Sequence, residues 1–423
     1  MPEILKILVV FGLVLVLSRR RLHLGFALLI GAVVLGLWSG LSPGELAGIV
    51  GRSLAGRSTL LLAAILVLVL LLSRLMERSE NLNRIVEAFS RVVRGRRTLT
   101  ALIPALVGIL PLPGGALFSA PLVETTVEET DLSPGRKAVI NFWFRHIWEY
   151  WWPLYPGFIL AAGLLGVPAG RLMLFQFPLA AFSLFAGWIL LLRPLRIPRS
   201  SGHRTGRRAG LVDLARESSP VLAVLAVIFL LNLFPRLAGA GSFPPELPVL
   251  AGVAAGIVLL FRRERLTRAD LAGALKGGKY FNYVLLVAAI MVFRGVLAES
   301  AIVHRVKEEM LDYRIPLLAV IVFLPFVSGL VSGIALGFVG ASFPVIIPLL
   351  AGLSPTAYLA HGVLAFGCGY LGILLSPVHL CLLFSRDYFE VSLPRCYRLL
   401  IPLAGLTLLL TGGYFFLLLR LAG

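Results

Sequence analysis

Long apolar stretches separated by short polar turns run through the whole chain. A membrane-spanning helix needs roughly 20 predominantly apolar residues, and about ten stretches meet or approach that length. Five lie in the first half, at residues 4–18, 22–40, 58–75, 135–166 and 171–192. Five lie in the second half, at 218–235, 246–262, 279–297, 355–387 and 397–420. The pattern predicts an all-α membrane protein that crosses the bilayer many times.

Two further apolar stretches, 99–122 and 315–350, are interrupted near their centres. The first contains the sequence PLPGG at 111–115, and the second contains SGLVSG at 328–333. Proline and glycine interrupt helices, and each remaining half is too short to cross a bilayer. Each stretch is therefore predicted to form a re-entrant hairpin. Irregular backbone of this kind is tolerated within a membrane only where protein or a water-filled cavity shelters it.

The positions of the basic residues predict how the spans are oriented. Arginine-rich loops are typical of the cytoplasmic side, and here they fall near 19–21, 74–97, 193–216, 262–279 and 386–398. The loops near 41–57, 166–170 and 236–245 carry few charges and are predicted to lie outside. With both hairpins excluded from the count, each half has an odd number of spans. Both termini are then predicted to lie outside a bacterial-type inner membrane.

These features together predict two inverted five-helix repeats, each with a re-entrant hairpin and a broken helix. The first repeat covers residues 1–194, a basic cytoplasmic linker covers 195–217, and the second repeat covers 218–423. The order of elements supports this division, because three spans, an amphipathic stretch, a hairpin, a broken helix and a final span occur in both halves.

The composition supports the membrane assignment, and the positions of the charged residues explain the net positive charge. The 423 residues are 58% hydrophobic and 14% charged, with a mean hydropathy of +0.93. The net charge of +18 is concentrated in loops between spans, so it predicts topology and a lipid bilayer as partner, with no nucleic acid. The three cysteines show neither metal-ligand spacing nor a disulfide framework, and no metal or cofactor is predicted.

Broken helices and hairpins in inverted repeats are typical of secondary transporters, whose binding site lies where the breaks meet. A half-helix that begins there offers unpaired N–H groups to an anion, and one that ends there offers carbonyl oxygens to Na⁺. Small residues near the interruptions are the candidate substrate contacts, although they could equally serve only close helix packing. These candidates are Pro113, Gly114, Gly115, Ser119, Ser328, Ser332, Gly333 and Ser376.

The most polar membrane segment follows the first hairpin, at residues 141–152. Asn141, Arg145 and Glu149 recur every four residues and would share one helix face, with His146 beside them. Asn141 and Arg145 are candidate substrate contacts, and Arg145 would anchor a carboxylate or phosphate. His146 and Glu149 are candidate proton carriers. Two alternatives remain open: a structural ion pair between Arg145 and Glu149, or an interfacial segment with the aromatic run 148–152 as its belt.

The segment PALVGILPLPGGALFSAP at 104–121 resembles the hallmark of an uncharacterised membrane family, domain-of-unknown-function family 401. The resemblance extends to the polar segment 141–152 and to the second hairpin. That family is grouped with the ion transporter superfamily, so the resemblance implies a transport domain that moves against a scaffold, often in a homodimer. It also implies secondary transport of an organic anion driven by Na⁺ or H⁺. The Ser-Asn-Thr signatures of the dicarboxylate branch are absent from both hairpins, so dicarboxylate specificity and Na⁺ coupling do not carry over.

The leading hypothesis is therefore a non-enzymatic, secondary active transporter of a small organic anion, a carboxylate or sugar acid, with elevator-type alternating access. One alternative is a lipid-linked phosphate flippase, because Arg145 could hold a phosphate equally well. Another is an intramembrane metalloenzyme that would use His146 and Glu149 with His361 or His379. The chain lacks the His-Glu-x-x-His spacing that such an enzyme would favour.

Overall fold

The computed structural model describes residues 2–20, 22–93, 95–111, 115–128, 132–195, 207–237, 243–276, 280–300 and 302–422, and all regular structure in these ranges is helical. The helices of the first half are α1 (Glu3–Arg19), α2 (Leu24–Trp38), α3 (Pro43–Ala55), α4 (Arg57–Arg78), α5 (Asn81–Val92), α6 (Arg96–Val107), α7 (Gly115–Val127), α8 (Pro134–Arg145), α9 (Pro156–Leu165) and α10 (Ala169–Gly187). A 3₁₀ turn, Ile147–Tyr150, lies between α8 and α9, and a π-helical turn, Trp188–Leu192, extends α10.

The remaining helices begin in the predicted linker. They are α11 (Arg207–Glu217), α12 (Ser219–Leu237), α13 (Leu247–Glu264), α14 (Arg268–Lys276), α15 (Tyr280–Glu299), α16 (Ile302–Asp312), α17 (Leu317–Ser332), α18 (Ala335–Leu349), α19 (Pro355–Leu374), α20 (Leu380–Tyr388) and α21 (Leu393–Arg420).

Several of these helices could cross a membrane. Within the described ranges, five are long and apolar enough: α4, α10 with its π turn, α15, α19 and α21. The number rises to seven if two bent pairs each count as one span, α11 with α12 at 63° and α16 with α17 at 118°. Helices α2, α6, α9 and α18 are apolar but shorter. The chain thus has the helices of a multi-pass membrane protein, and a total of about ten spans, which includes short and interrupted helices, stays a prediction.

The predicted interruptions are present. Helices α6 and α7 pack against each other as the arms of the first hairpin, and α17 and α18 form the second. At the second tip Gly333 has φ +65°, a left-handed conformation that glycine adopts without a steric penalty. The two broken helices are interrupted between Arg145 and Pro156 and between Leu374 and Leu380. Four helix breaks therefore occur where apolar sequence contains proline, glycine or polar residues.

Helices α1–α10 can be paired in chain order with α12–α21, and several contacts are then exchanged between the halves. Helix α7 packs on α20, while its counterpart α18 packs on α9. In the same way α2 packs on α15, and α4 packs on α13. Such exchange is expected of two repeats that face each other across a two-fold axis. The linker helix α11 lies outside this correspondence and packs on α5.

Three short helices, α3, α11 and α14, lie in segments that the sequence analysis assigned to loops. Two of them begin with a capping box, in which side chains satisfy the first free N–H groups. In α3, Glu45 accepts from the Ser42 N–H at 2.7 Å, and the Ser42 hydroxyl accepts from the Glu45 N–H at 3.3 Å. In α14, Asp270 and Thr267 exchange equivalent bonds of 2.8 and 3.3 Å. The prediction of loops was therefore wrong at α3 and α14, because a capping box can start a short helix in a segment of polar composition.

A largely buried ionic cluster joins the linker to the membrane helices. The Glu217 carboxylate accepts from Asn81 Nδ2 at 2.9 Å and from Arg84 Nε at 2.8 Å, and it also pairs with Arg263. These residues come from the end of α11, from α5 and from α13. The cluster therefore fixes the linker helix to both halves.

Replacing Glu217 by glutamine is expected to lower stability by about 1–2 kcal/mol, because charge-assisted hydrogen bonds from Arg84 and Arg263 are weakened while both arginines keep their pairs with Glu264. The matched control is Asp213→Asn on the same helix, whose ion pair with Arg91 is exposed and is expected to contribute less than about 1 kcal/mol. Thermal unfolding in detergent measures both. Equal shifts for the two variants would contradict a structural role for the cluster.

Candidate functional site

A cavity of 260 Å³ lies where the two hairpins meet the two helix interruptions. Its walls come from both halves of the chain. The polar and sulfur-bearing side chains that line it are Arg145, His146, Glu149, Tyr155, Tyr283, His379 and Cys381. The other lining residues are apolar or glycine: Leu70, Pro111, Pro156, Gly157, Gly333, Ile334, Ala335, Leu336, Val378 and Leu380.

Three helices begin at the cavity wall. The first residues of α9, α18 and α20 line it, at positions 156–157, 335–336 and 380–381. The first turn of a helix carries N–H groups without intrahelical partners and a partial positive charge, which favours an anion. Helix α8 ends at Arg145, and α17 ends at Ser332, next to Gly333 of the cavity wall, so carbonyl oxygens suited to a cation are also near. The cavity wall thus offers N–H groups suited to an anion and carbonyl oxygens suited to a cation.

Arg145 is the last residue of α8, and it is 2% exposed. Its Nη1 lies 3.5 Å from Cys381 Sγ on the second half. The first hairpin closes over this residue at two glycines. A Cβ at Gly115 would overlap the Arg145 guanidinium, and a Cβ at Gly108 would overlap the Arg145 carbonyl oxygen. Glycine at both positions therefore lets the hairpin backbone contact the arginine directly.

Two histidines from different halves share a hydrogen bond beside Arg145. His146 Nε2 and His379 Nε2 are 3.0 Å apart, and His146 Nδ1 is 2.5 Å from the Phe142 carbonyl oxygen. Because a carbonyl can only accept, His146 Nδ1 carries a proton, and its Nε2 accepts from His379. Glu149 Oε1 is 3.9 Å from His146 Nε2. The arrangement is a hydrogen-bonded pair of imidazoles with one carboxyl nearby.

The same histidines and Cys381 could also hold a metal ion. Their nearest ligand atoms lie within 4.8 Å of one another, and all three residues are buried. Two imidazoles and a thiolate suit a transition metal such as Zn²⁺. The guanidinium of Arg145 beside Cys381 opposes a cation there. His361, the other histidine considered from the sequence, bonds the Ala357 carbonyl at 2.7 Å and does not line the cavity.

Four of the predicted site residues line the cavity: Arg145, His146, Glu149 and Gly333. Gly115 lies against Arg145. Pro113 and Gly114 lie outside the described residues.

Ser119 and Asn141 lie in a hydrogen-bond network outside the cavity lining. The Ser119 hydroxyl donates to Asn141 Oδ1 at 2.6 Å. The Asn141 amide nitrogen donates to the Ala116 carbonyl at 3.0 Å and to Ser385 Oγ at 2.9 Å. This network joins α7, α8 and α20, and it stabilises the packing of α8, the helix that carries Arg145.

The three predicted serines of the second half bond the backbone around their own hairpin. Ser328 donates to the Gly337 carbonyl at 3.4 Å, and Ser332 donates to the Ile334 carbonyl at 3.3 Å. Ser376 donates to the Leu330 carbonyl at 2.7 Å. None of them is among the described residues that line the cavity. The second half instead contributes His379 and Cys381, which were not predicted as substrate contacts.

The predicted shared face of Asn141, Arg145 and Glu149 is not formed, because α8 ends at Arg145 and Glu149 lies in the following 3₁₀ turn. The aromatic run also differs from an interfacial belt. Tyr150 is 0% exposed and Trp152 is 6% exposed, and Trp148 Nε1 donates to the Ala105 carbonyl at 2.6 Å. These rings pack inside the protein, and they hold the turn that carries His146 and Glu149.

Comparison with known proteins gives similar solved structures and one family. The crystal structure of the YdaH transporter of Alcanivorax borkumensis, which is described as having an unusual topology, is similar with a TM-score of 0.59 and 17% identity. The similarity covers 87% of this chain and 86% of that one, and at this identity it shows the fold alone. No curated protein matches the sequence. A family model described as a protein of unknown function, DUF401, matches residues 4–418, and the chain belongs to that family.

Proposed function

We propose that the protein is a secondary active transporter that carries a small organic anion in symport with H⁺ or Na⁺. The observation that carries the proposal is the buried Arg145, which lies in a cavity built by both halves and at the starts of three interrupted helices. A guanidinium presents paired N–H donors that match a carboxylate. Helix N-termini add N–H donors and positive potential at the same place.

The packing supports alternating access. The hairpins and broken helices contact one another across the halves, while α2, α4, α13 and α15 form a second group of mutual contacts. We assign the first group to a moving transport domain and the second to a scaffold, in two inverted repeats within the inner membrane. The repeated helix order and the fold shared with a transporter structure support this assignment. The boundaries at 194 and 218, the outside location of both termini and a homodimeric scaffold belong to the same proposal.

Ligand-dependent thermal stability of the purified protein tests the function directly. The panel contains carboxylates, sugar acids, inorganic phosphate and a polyprenyl phosphate, with Na⁺ and pH varied. A ligand that binds only the folded state at 100 times its dissociation constant stabilises that state by about 2.7 kcal/mol. We expect one class of small carboxylate to raise the unfolding midpoint in proportion to its concentration. Stabilisation by polyprenyl phosphate alone would instead support lipid-linked phosphate transport.

The cluster of His146, His379 and Cys381 favours one second candidate, a metal-dependent function. Metal analysis of protein purified without chelators distinguishes it. One equivalent of a tightly held transition metal, absent from a His379→Ala variant, would support the second candidate. Stabilisation of metal-free protein by a carboxylate would support transport of an anion.

A further inference from the structure

We propose that a groove beside the first hairpin binds an anionic phospholipid, with the lipid phosphate at Arg97 and one acyl chain along the end of α10. The groove has a volume of 370 Å³ and is separate from the cavity around Arg145. It lies between α6, an arm of the first hairpin, and the π-helical turn that extends α10. This inference goes beyond the proposed function, because lipid binding here does not depend on which anion the cavity takes.

The groove has a buried floor and an exposed rim. Ala101 and Phe144 lie in the floor, and both are buried. Leu184, Phe185 and Trp188 line the side formed by α10, where they are 40%, 46% and 50% exposed. The short side chain of Ala101 leaves the space above the floor open. In a multi-pass membrane protein such a groove fits an acyl chain, which covers apolar side chains without bringing water to them.

One end of the groove is cationic. Arg97 and Thr98 lie there, in the first turn of α6, and both are exposed. Arg97 donates to the Leu195 carbonyl, and this bond holds its guanidinium beyond the end of α10. A guanidinium has five N–H groups, so Arg97 can bond this carbonyl and a phosphate at the same time. The cationic end therefore suits the phosphate of a lipid headgroup.

The polar and apolar parts of the groove follow the order of the parts of a phospholipid. From the cationic end, the lining of α10 runs from Leu192 to Leu184, about 12 Å along a helix. Trp188 lies between them, and tryptophan is enriched in membranes where headgroups meet acyl chains. The arginine-rich loops next to this end are predicted to be cytoplasmic, and anionic lipids give the cytoplasmic leaflet its negative surface potential.

The charges of the lining favour an anionic headgroup over a zwitterionic one. The described lining contains one arginine and no acidic residue. A phosphate with a neutral headgroup, as in phosphatidylglycerol, keeps its full negative charge for Arg97. The ammonium group of phosphatidylcholine would find no carboxylate in the lining. Because α6, α8 and α10 share the groove, a bound lipid joins three helices, and binding raises the thermal stability of the folded protein.

Thermal unfolding of the delipidated full chain in a neutral detergent tests the site, with dioleoyl-phosphatidylglycerol or dioleoyl-phosphatidylcholine added. The two lipids have the same acyl chains, so the comparison isolates the headgroup. We expect phosphatidylglycerol to raise the unfolding midpoint saturably and to bind at least about fivefold more tightly than phosphatidylcholine, the factor expected of one arginine acting on anionic lipid. Inorganic phosphate, which has no acyl chain, is expected to give no saturable shift.

The variants separate the headgroup contact from the acyl-chain contact. Arg97→Gln is expected to remove the preference for phosphatidylglycerol, and Trp188→Ala is expected to weaken binding of both lipids. The matched controls are Arg19→Gln at the end of α1 and Trp38→Ala at the end of α2, which are exposed residues outside the groove and should leave lipid binding unchanged.

Equal affinity for the two lipids, or a preference for phosphatidylglycerol that survives in folded Arg97→Gln, would overturn the inference. An equal shift with inorganic phosphate would also overturn it, because the acyl chain would then have no part in binding. Size-exclusion chromatography covers the remaining occupant of the groove, a second copy of the chain. A changed oligomeric state in Arg97→Gln with unchanged lipid preference would identify a protein interface and would reject the lipid site.

Discussion

Replacing Arg145 by glutamine is expected to weaken binding of the proposed organic anion at least about 30-fold, because losing one partner of a buried charged contact costs about 2 kcal/mol or more. The cavity walls are expected to keep their positions, since the glutamine side chain fits within the volume that the arginine side chain fills. It would also keep Glu149, whose charge would then repel the anion. Titration calorimetry, or the shift of the unfolding midpoint with ligand concentration, measures the loss.

Three further variants test whether the Arg145 guanidinium itself binds the anion. Arg145→Lys keeps the charge but loses the paired N–H donors, so an intermediate loss is expected. Gly115→Ala leaves the arginine in the sequence but places a methyl group where its guanidinium lies, and weaker binding is expected again. Arg171→Gln is the control, since Arg171 is exposed at the start of α10. Unchanged binding in folded Arg145→Gln would remove Arg145 from the site.

Substitution of Gly329 or Gly372 by alanine is expected to cause the largest loss of stability. Helices α17 and α19 pack backbone to backbone at these residues. A Cβ at Gly329 would overlap the Gly369 carbonyl oxygen, and a Cβ at Gly372 would overlap the Phe326 carbonyl oxygen. Neither oxygen can move without displacing its helix. Each variant is expected to lose about 1–3 kcal/mol, with a larger loss for the pair, and thermal unfolding with size-exclusion chromatography measures it.

The matched control is Gly405→Ala in α21, where an added Cβ would meet no atom within 4 Å. A glycine inside a helix costs roughly 0.5–1 kcal/mol relative to alanine, so this variant should be unchanged or slightly more stable. If Gly329→Ala were as stable as Gly405→Ala, the close approach of α17 and α19 would be wrong.

Most of the fold was predictable because the signals are local. The lengths of the apolar runs predict which segments can span a membrane. The sequences PLPGG at 111–115 and SGLVSG at 328–333 predict where helices are interrupted. The short helices α3 and α14 also carry a local signal, the capping boxes at Ser42 and Thr267, which could have identified them.

Most of the predicted residues that line the cavity come from the first half, and Gly333 is the one from the second half. Arg145, His146 and Glu149 are ionisable residues in a membrane segment, and that is a strong signal for function. The partnership of His146 with His379 joins positions 233 residues apart and depends on how the two halves pack, which no local pattern reports. Small polar residues near a helix break can either contact a ligand or hydrogen-bond the backbone around the break. The sequence does not distinguish these roles for Ser328, Ser332 and Ser376. Here they bond nearby backbone carbonyls.

The exchanged packing of α7 on α20 and of α18 on α9 has a consequence for how such a chain could arise. Half of the chain, folded alone, would leave one partner of each pair uncovered, and a second copy of such a half could cover it. A half-length ancestor with this packing would therefore have worked as a pair of copies. After gene duplication and fusion, with α11 as the linker, the two halves could differ in sequence. Sequence divergence could then place Arg145 on one side of the cavity and Cys381 on the other.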